Sequence, residues 1–303
     1  MKHWLKNLLL ISFLALSSFS AVAKDDNKNV TQSVPGIYDQ VIETAEKQNA
    51  IVDTVDVLSN KMGRVIKSTI VLPAQYTQKK NPVKFFPVVY LLHGAWGSYR
   101  DWPKKADLRS LATQYGVIIV CPDGQDSWYF DSPVDPNFQF ETFVVHELRN
   151  YIETHYRTLN HPKYRAITGL SMGGHGALWL AWRHPDIYGS CGSMEGGVDI
   201  YNFPNKWKIN ERLGDYENNK EVWFEHSVMN LVPTLETGQN IIIDAGKDDI
   251  FIHENNSLHE ALDKQGIPHV YSVRPGTHSW TFWVNVLDYH MLFFYKAFNS
   301  GVK

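Results

Sequence analysis

One serine stands in a setting that could make it a nucleophile. Ser171 is the centre of Gly-Leu-Ser-Met-Gly at 169–173, between the apolar run Tyr164 to Thr168 and a helical pattern from Gly174 to His184. A strand, a Gly-x-Ser-x-Gly turn and a helix form a nucleophile elbow, whose sharp turn exposes the hydroxyl while the glycines let other backbone pass closely. The context therefore predicts a nucleophilic Ser171 rather than a plain glycine-rich turn.

A serine nucleophile needs an imidazole that takes its proton. His278 is the predicted base, because it lies in the turn between the last strand-like run and the last helical pattern, at the sheet edge where the elbow also opens. His93 precedes the serine, against the chain order Ser, acid, His, so we interpret it as structural. Three further histidines fall in helical patterns, where packing or solvation is the ordinary role: His253, His259 and His290.

A carboxylate should hold that imidazole, and it is expected after the apolar run Asn240 to Asp244. Asp244 still belongs to the strand, which leaves Asp248 and Asp249 in the turn beyond Gly246. The residues alone leave both open. The one that does not contact the histidine is expected to be a loop or helix-capping carboxylate.

Attack on an ester also builds a negatively charged oxygen, which backbone N–H groups must receive. One predicted donor is Met172, directly after the nucleophile. The second is predicted at Ala95, in the loop His-Gly-Ala-Trp-Gly at 93–97 that follows the strand-like run Val88 to Leu92. Together these residues predict an ester hydrolase that works through an acyl-enzyme and needs no cofactor.

The elements that must position these residues alternate along the chain. Strand-like runs and helical patterns follow one another, which predicts an α/β-hydrolase fold with a mostly parallel sheet and helices on both faces. The predicted strands are Arg64 to Leu72, Pro87 to Leu92, Val117 to Val120, Tyr164 to Thr168, Gly189 to Ser193, Asn240 to Asp244 and His269 to Arg274. The predicted helices are Thr142 to His155, Gly174 to His184, Asn255 to Lys264 and Ser279 to Phe298.

The beginning of the chain differs from the rest. Basic residues precede the apolar run Leu8 to Leu16, and small residues end the segment at Ala21 to Ala23, which predicts a signal peptide at 1–23 rather than a retained transmembrane anchor. A polar linker is predicted at 24–34 and a single catalytic domain at 35–303. We therefore expect an exported protein, periplasmic or secreted, with no stable membrane anchor after cleavage.

One segment of that domain, 198–237, breaks the alternation. It carries aromatic residues among many charges and has no clear strand. We interpret it as a helical insertion over the carboxyl edge of the sheet, a candidate cap or lid. An ordinary long surface excursion is an equal alternative.

Composition excludes other classes of function. The 303 residues are 44% hydrophobic and carry a formal net charge of -3, so there is no basic excess and nucleic acid is not an expected partner. Cys121 and Cys191 lie in apolar runs and are predicted to be two buried thiols rather than a disulfide. His259, His269 and His278 are too dispersed along the chain for a zinc motif, so no metal site is predicted.

These motifs together resemble the esterase D-like branch of the α/β-hydrolases over nearly all of the mature chain. That branch includes the feruloyl and acetylxylan esterases of carbohydrate esterase family 1, tributyrin-type esterases, S-formylglutathione hydrolases and mycolyltransferases. The motifs are Arg64 to Pro73, Pro87 to Gly94 with Asp101 and Trp102, Glu141 to Phe143 with Glu147 and Leu148, Gly169 to Gly174, Gly246-x-x-Asp249 and Gly276-x-His278-x-Trp280. The third position after Gly246 in the acid motif implies Asp249 rather than Asp248.

The resemblance implies an exported esterase that removes acetyl or feruloyl groups from plant polysaccharide. Export counts against a cytosolic S-formylglutathione hydrolase, and a mycolyltransferase would replace water by a sugar hydroxyl. A non-catalytic carbohydrate-binding homologue is the rival from another class, and it would lack one of the three catalytic residues. Four aromatic residues are expected to contact substrate, with local packing as the alternative for each: Trp96, Trp128, Tyr129 and Trp280.

Overall fold

A central sheet of eight strands organises the molecule. The computed structural model describes residues 49–78, 83–204, 206–235 and 238–301, so the predicted signal peptide at 1–23 and linker at 24–34 lie outside the described residues. The strands are β1 (Ile51–Ser59), β2 (Arg64–Leu72), β3 (Val88–Leu92), β4 (Ile118–Pro122), β5 (Arg165–Leu170), β6 (Ser190–Met194), β7 (Asn240–Gly246) and β8 (Val270–Arg274). Their order across the sheet is β1-β2-β4-β3-β5-β6-β7-β8. Strands β3 to β8 are parallel, whereas β1 and β2 run antiparallel to their neighbours.

Helices cover both faces of this sheet. They are α1 (Asp101–Lys105), α2 (Leu108–Tyr115), α3 (Phe140–Thr142, continuing through the π turns of Phe143–Leu148 into Arg149–His155), α4 (Met172–Arg183), α5 (Ile209–Leu213), α6 (Lys220–Glu225), α7 (Ile252–Lys264) and α8 (Trp280–Asn299). The α/β-hydrolase fold and all seven predicted strands are confirmed. Strand β1 and helices α1 and α2 were not predicted from the sequence.

The sheet separates two apolar cores. In β3, Val88, Tyr90 and Leu92 face one core, and Val89 and Leu91 face the other. All five are at most 1% exposed. Such strands read as continuous apolar runs because both faces are buried, and each buried side chain contributes roughly 1.5–3 kcal/mol. The loops at the ends of such strands are therefore carried by a part of the sheet that is buried on both faces.

Edge strand β1 was not predicted because only one of its faces is buried. Only Val55, Val57 and Ser59 are buried in Ile51–Ser59, and exposed charges such as Asp53 and Asp56 interrupt the run. An edge strand of an antiparallel pair needs one buried face only, which leaves a weaker apolar signal.

The segment that broke the alternation contains short helices. Between β6 and β7 the described residues form α5, α6 and two 3₁₀ turns at Ile200–Asn202 and Val228–Thr234, and none of them pairs with the sheet. The described residues of this segment thus contain short helices and no strand, and its role as a cap or lid stays a prediction. Trp223 fixes the segment from inside, since it is fully buried and its indole N–H donates to the carbonyl of Gly214 at 3.0 Å.

Both cysteines are buried free thiols, as predicted: Cys121 in β4 and Cys191 in β6. Burial raises the pKa of both thiols, that of Cys191 to about 12. Neither is therefore a thiolate at neutral pH. Among the described residues, no helix combines the length and the apolar character needed to cross a membrane.

Candidate active site

The turn after β5 holds Ser171 in a strained conformation. Its φ is 54° and its ψ is -118°, at the residue that precedes helix α4. This is a conformation that only a few non-glycine residues adopt, and it pushes the side chain out of the turn. Glycines make the turn possible: a Cβ at Gly169 would lie 2.5 Å from the carbonyl oxygen of Gly173, and one at Gly173 would lie 2.5 Å from that of His93.

A histidine and a carboxylate join this serine at the carboxyl edge of the sheet. The Oγ of Ser171 lies 2.9 Å from Nε2 of His278, in the loop after β8. The Nδ1 of the same ring lies 2.6 Å from Oδ2 of Asp249, in the loop after β7. All three residues follow parallel strands, which explains why residues 107 positions apart meet.

The carboxylate that contacts the histidine is Asp249, whereas Asp248 is exposed. The other oxygen of Asp249 accepts a hydrogen bond from the backbone N–H of Phe251 at 2.7 Å, which fixes the carboxylate plane. With an acceptor facing Nδ1, the His278 proton lies on Nδ1, and Nε2 is left with a lone pair for the serine hydroxyl. The geometry is that of a nucleophile activated by an oriented base.

Two backbone N–H groups lie in segments next to the same serine. The first N–H groups of a helix have no partner inside the helix, and Met172 is the first residue of α4. The loop with Ala95 lies beside it, because a Cβ added at Gly94 would lie 3.3 Å from the Cβ of Ser171. Neither the Met172 N–H nor the Ala95 N–H has an acceptor among the described residues. Their role as donors to a developing oxyanion stays a prediction from the sequence, and the absence of an acceptor is compatible with it.

His93 is structural, in agreement with the interpretation of its chain position. Its ring is 1% exposed, its Nδ1–H donates to the carbonyl of Gly94 at 2.7 Å, and its Nε2 accepts from the N–H of Gly124 at 2.8 Å. Both ring nitrogens are occupied in holding the loop that carries Ala95. The ring therefore has no free nitrogen to serve as a base.

A cavity of about 290 Å³ opens in front of Ser171. Trp96 and Trp280 line it, and Trp96 is 71% exposed. That these two residues contact substrate stays a prediction. Two further lining residues were missed by the sequence analysis, Trp207 and Trp283. A larger groove of about 740 Å³ lies between β8 and α8, but neither Ser171 nor His278 lines it.

The expectation that Trp128 and Tyr129 contact substrate is wrong. Trp128 is 1% exposed and its indole N–H donates to the carbonyl of Trp207 at 3.2 Å. Tyr129 is fully buried, and its hydroxyl bridges the backbone N–H and carbonyl of His93, each at 3.1 Å. Both side chains therefore hold neighbouring loops in place, Trp128 the loop with Trp207 and Tyr129 the loop with His93. Loop position alone could not separate a supporting ring from an exposed one.

A buried glutamate beside Asp249 and His278 was not predicted from the sequence. Glu195 follows β6 directly, is fully buried, and holds Oε2 3.6 Å from Nδ1 of His278. Burial, and then the negative charge of Asp249, raise the pKa of Glu195 to about 9. Its carboxyl is therefore neutral at pH 7. The one feature of the sequence that could have indicated Glu195 is its position as an acidic residue just after the carboxyl end of a predicted strand.

A second correction concerns the histidines that looked too dispersed to meet. Nδ1 of His259, in α7, lies 2.8 Å from Nε2 of His269, which precedes β8. Asp263 lies close to both rings, with oxygens 3.6 Å from Nε2 of His259 and 4.0 Å from Nε2 of His269. Helix α7 folds back on β8 and removes the separation in sequence. His278 lies apart from this group and belongs to the serine site.

Comparisons with known proteins identify the family. The family model described as "Putative esterase" matches residues 59–294. An acetyl esterase of Caldicellulosiruptor saccharolyticus is 27% identical over 230 residues, covering 70% of this chain and 84% of that protein. The S-formylglutathione hydrolase of Rattus norvegicus is 26% identical over 263 residues, covering 78% and 90% of the two chains. A solved ferulic acid esterase superposes with a TM-score of 0.71 at 28% identity, covering 82% of this chain and 99% of its own.

The match to the family model covers well over half of the chain, and the fold and the arrangement of serine, histidine and carboxylate are those of a serine hydrolase. The chain therefore belongs to the esterase family of the α/β-hydrolases.

Proposed function

We propose that this protein is an exported serine esterase that removes acetyl or feruloyl groups from plant polysaccharide through Ser171, His278 and Asp249. The observation that carries the proposal is the continuous hydrogen-bond chain from Asp249 to Ser171, with contacts of 2.6 and 2.9 Å. Hydrolysis of a carboxylic ester by a serine needs this chain and an oxyanion site beside it.

In the first half-reaction His278 takes the proton of Ser171 as its Oγ attacks the ester carbonyl. The carbonyl oxygen becomes an oxyanion, which the N–H groups of Ala95 and Met172 receive. The imidazolium then gives its proton to the leaving alcohol, and the acyl group stays on the serine. Asp249 stabilises the imidazolium and keeps its remaining proton on Nδ1.

In the second half-reaction water replaces the alcohol. His278 takes a proton from the water as it attacks the acyl-enzyme, and the same two N–H groups receive the second oxyanion. Collapse of that intermediate releases the carboxylic acid and returns the proton to Ser171.

The shape of the cavity supports a small or planar acyl group. Its volume of about 290 Å³ is at the lower end of ligand pockets. Aromatic side chains form most of its apolar wall, and the exposed Trp96 ring offers a face on which an aryl or sugar ring could stack. Relatives named acetyl esterase and ferulic acid esterase support the same two acyl classes.

Export rests on the sequence at 1–23, whose basic start, apolar run and small-residue end are typical of a signal peptide. The test is the N-terminal sequence of the protein recovered from outside the cytoplasm. A new N-terminus near Lys24 supports export. An intact Met1 in the cytoplasmic fraction contradicts it.

Relatives named S-formylglutathione hydrolase favour one alternative, a thioester hydrolase that uses the same residues. Acetylated xylan, methyl ferulate, tributyrin and S-formylglutathione, assayed side by side, separate the two. The proposal expects the highest kcat/KM on acetylated xylan or methyl ferulate. The highest kcat/KM on S-formylglutathione would replace it.

The decisive variant for the chemistry is Ser171→Ala. Without Oγ no acyl-enzyme forms, so hydrolysis of p-nitrophenyl acetate should fall by about 10⁶-fold. An unchanged circular dichroism spectrum and thermal midpoint would show that the variant is folded. Activity retained by a folded variant would remove Ser171 from the mechanism.

A further inference from the structure

A second carboxyl group lies within reach of the His278 imidazole, and the mechanism above leaves it unused. Oxygens of Glu195 and Asp249 and a ring nitrogen of His278 all lie within 4.8 Å of one another. Glu195 belongs to the loop after β6, whereas Asp249 follows β7, so two neighbouring strands each deliver one carboxyl group to the same imidazole.

The backbone holds Glu195 in this position. Its φ is 51°, a left-handed conformation that is unusual for a residue with a side chain, and its N–H donates to the carbonyl of Asp244 at 2.8 Å. The preceding carbonyl, of Met194, accepts from the N–H of Ser171 at 3.0 Å. A side chain at Gly246 would collide with the Glu195 carboxyl. Strain and a matching glycine at the same point indicate a position that the site requires.

Two carboxylates cannot both be ionised in this space. Both side chains are fully buried, and neither oxygen of Glu195 has a hydrogen-bond partner when both groups are ionised. A proton on Glu195 resolves this, because it supplies the donor that faces the Asp249 carboxylate. The titratable groups facing Glu195 are Asp249 and His278, and α8 adds the uncharged indole N–H of Trp283.

We propose that Glu195 is a second acid of this site, a positioning residue that donates its proton in a hydrogen bond to Asp249 and can hold His278 when Asp249 is lost. The inference rests on the proposed function, since it concerns the same histidine. In the intact enzyme the two carboxyl groups share one negative charge. Asp249 uses Oδ2 for His278 and Oδ1 for the N–H of Phe251, and the proton of Glu195 adds a third donor.

Removal of Asp249 should change the protonation state of Glu195. Without the neighbouring negative charge the pKa of Glu195 falls, and its carboxylate, 3.6 Å from Nδ1, becomes the partner of the imidazole. Asp249→Ala should therefore retain at least about tenfold more kcat than the double variant Asp249→Ala, Glu195→Gln. The kcat of the single variant should also rise with pH as Glu195 ionises, and that of the double variant should lack this rise.

A stability measurement tests the same inference with Asp249 in place. Glu195 is neutral in the folded protein and ionised in the unfolded chain between about pH 4.3 and 9, so the folded state binds the additional proton and loses stability as pH rises. Glu195→Gln removes this loss. The urea midpoint of Glu195→Gln should therefore exceed that of the wild type at pH 8, and the difference should shrink towards pH 5.

The variants distinguish a failure of the Glu195 inference from a failure of the proposed function. Asp248→Ala, an exposed neighbour, is the matched control and should behave as the wild type in both assays. Equal residual kcat in the Asp249 single and double variants, or a urea difference that is the same at pH 5 and pH 8, would overturn the role of Glu195. Full activity of Ser171→Ala in the same assay would instead overturn the proposed function.

If Asp249→Ala does not fold, infrared spectroscopy of the wild type decides the question. A carbonyl band of a protonated carboxylic acid, present at pH 7 in the wild type and absent from Glu195→Gln, supports the inference. A spectrum without any difference in that band contradicts it.

Discussion

The two sides of the cavity are built in different ways. On one side Ser171, Asp249 and His278 each follow the end of a parallel strand, and the register of the sheet brings them together. On the other side the helical segment between β6 and β7 contributes Trp207 without joining the sheet. The catalytic side therefore depends on short local motifs, and the opposite side on contacts between distant loops.

Those distant contacts converge on Asp126. Its Oδ1 accepts from the backbone N–H of Trp96 at 2.8 Å, and its Oδ2 lies 3.2 Å from the ammonium of Lys208. Arg212, further along the segment, pairs with Asp135 at 3.0 Å. The loop that carries Trp96 is thus tied to the segment that carries Trp207. We infer that the first side sets the chemistry and the second sets the choice of substrate.

The largest effect is expected from His278→Ala, on the catalytic side. Without the imidazole, the proton of Ser171 has no acceptor, so kcat should fall by roughly 10⁴- to 10⁶-fold with little change in KM. The assay is steady-state hydrolysis of p-nitrophenyl acetate and methyl ferulate. His253→Ala, an exposed histidine on α7, is the control. A fall of less than tenfold in a folded variant would remove His278 from the mechanism.

A smaller loss is expected when the oxyanion loop is displaced. In Gly94→Ala the new Cβ would lie 2.6 Å from Leu170 Cδ1 and 3.3 Å from the Cβ of Ser171, so the Leu170 side chain, Ser171 or the loop with Ala95 must shift. We expect the loop to move. Loss of one oxyanion donor costs about 10²- to 10³-fold in kcat. Gly238→Ala, where a Cβ meets nothing within 4 Å, is the matched control. Wild-type kcat in Gly94→Ala would contradict the expected displacement, and wild-type kcat together with a shifted loop in the variant's crystal structure would show that the Ala95 N–H is not an oxyanion donor.

On the opposite side, Trp207→Ala should change binding rather than chemistry. Loss of an aromatic contact costs about 1 kcal/mol, so KM for methyl ferulate should rise by about fivefold while kcat stays within about threefold. Phe224→Ala removes an exposed aromatic ring of the same segment that does not line the cavity, and KM should not change. An equal loss of kcat on all substrates would break the distinction between the two sides.

The smallest effect concerns a histidine that joins the two regions. His175, in α4, is fully buried and donates from Nε2 to the carbonyl of His226 at 2.9 Å. Burial lowers its pKa to about 4. Because the unfolded chain binds a proton near pH 6.5 and the folded protein does not, the stability that neutral His175 provides is present above pH 6.5 and is lost as pH falls towards 4.

The test is urea unfolding of His175→Gln and the wild type at pH 7 and pH 5. The wild type should lose about 2 kcal/mol more than the variant over this interval. His253→Gln, which alters an exposed histidine, should follow the wild type. Parallel losses in all three proteins would mean that His175 is protonated in the folded state.

The same contrast explains what could be predicted from the sequence. Ser171, His278, Met172 and Ala95 could be proposed from the sequence because each lies within a few residues of a strand end and a glycine. The residues alone did not separate Asp249 from Asp248, because neighbours in one turn differ only in the direction that the side chain takes.

The misses lie where contacts join distant parts of the chain. Trp128 and Tyr129 look like exposed loop residues until the segment at 198–235 and the His93 loop bury them. Glu195 carries no motif, and its role depends on the distance to His278, 83 positions further on in the numbering. Short-range patterns therefore predict the fold and the chemistry better than they predict burial or substrate contacts.

The most direct test of the central claim is covalent labelling by a fluorophosphonate, followed by mapping of the modified peptide by mass spectrometry. An activated serine reacts, and an ordinary surface serine does not. The structure predicts stoichiometric labelling of the wild type at Ser171. Labelling should be much slower in His278→Ala, and Ser171→Ala should not be labelled. Labelling at another residue, or no labelling of the folded wild type, would contradict the account.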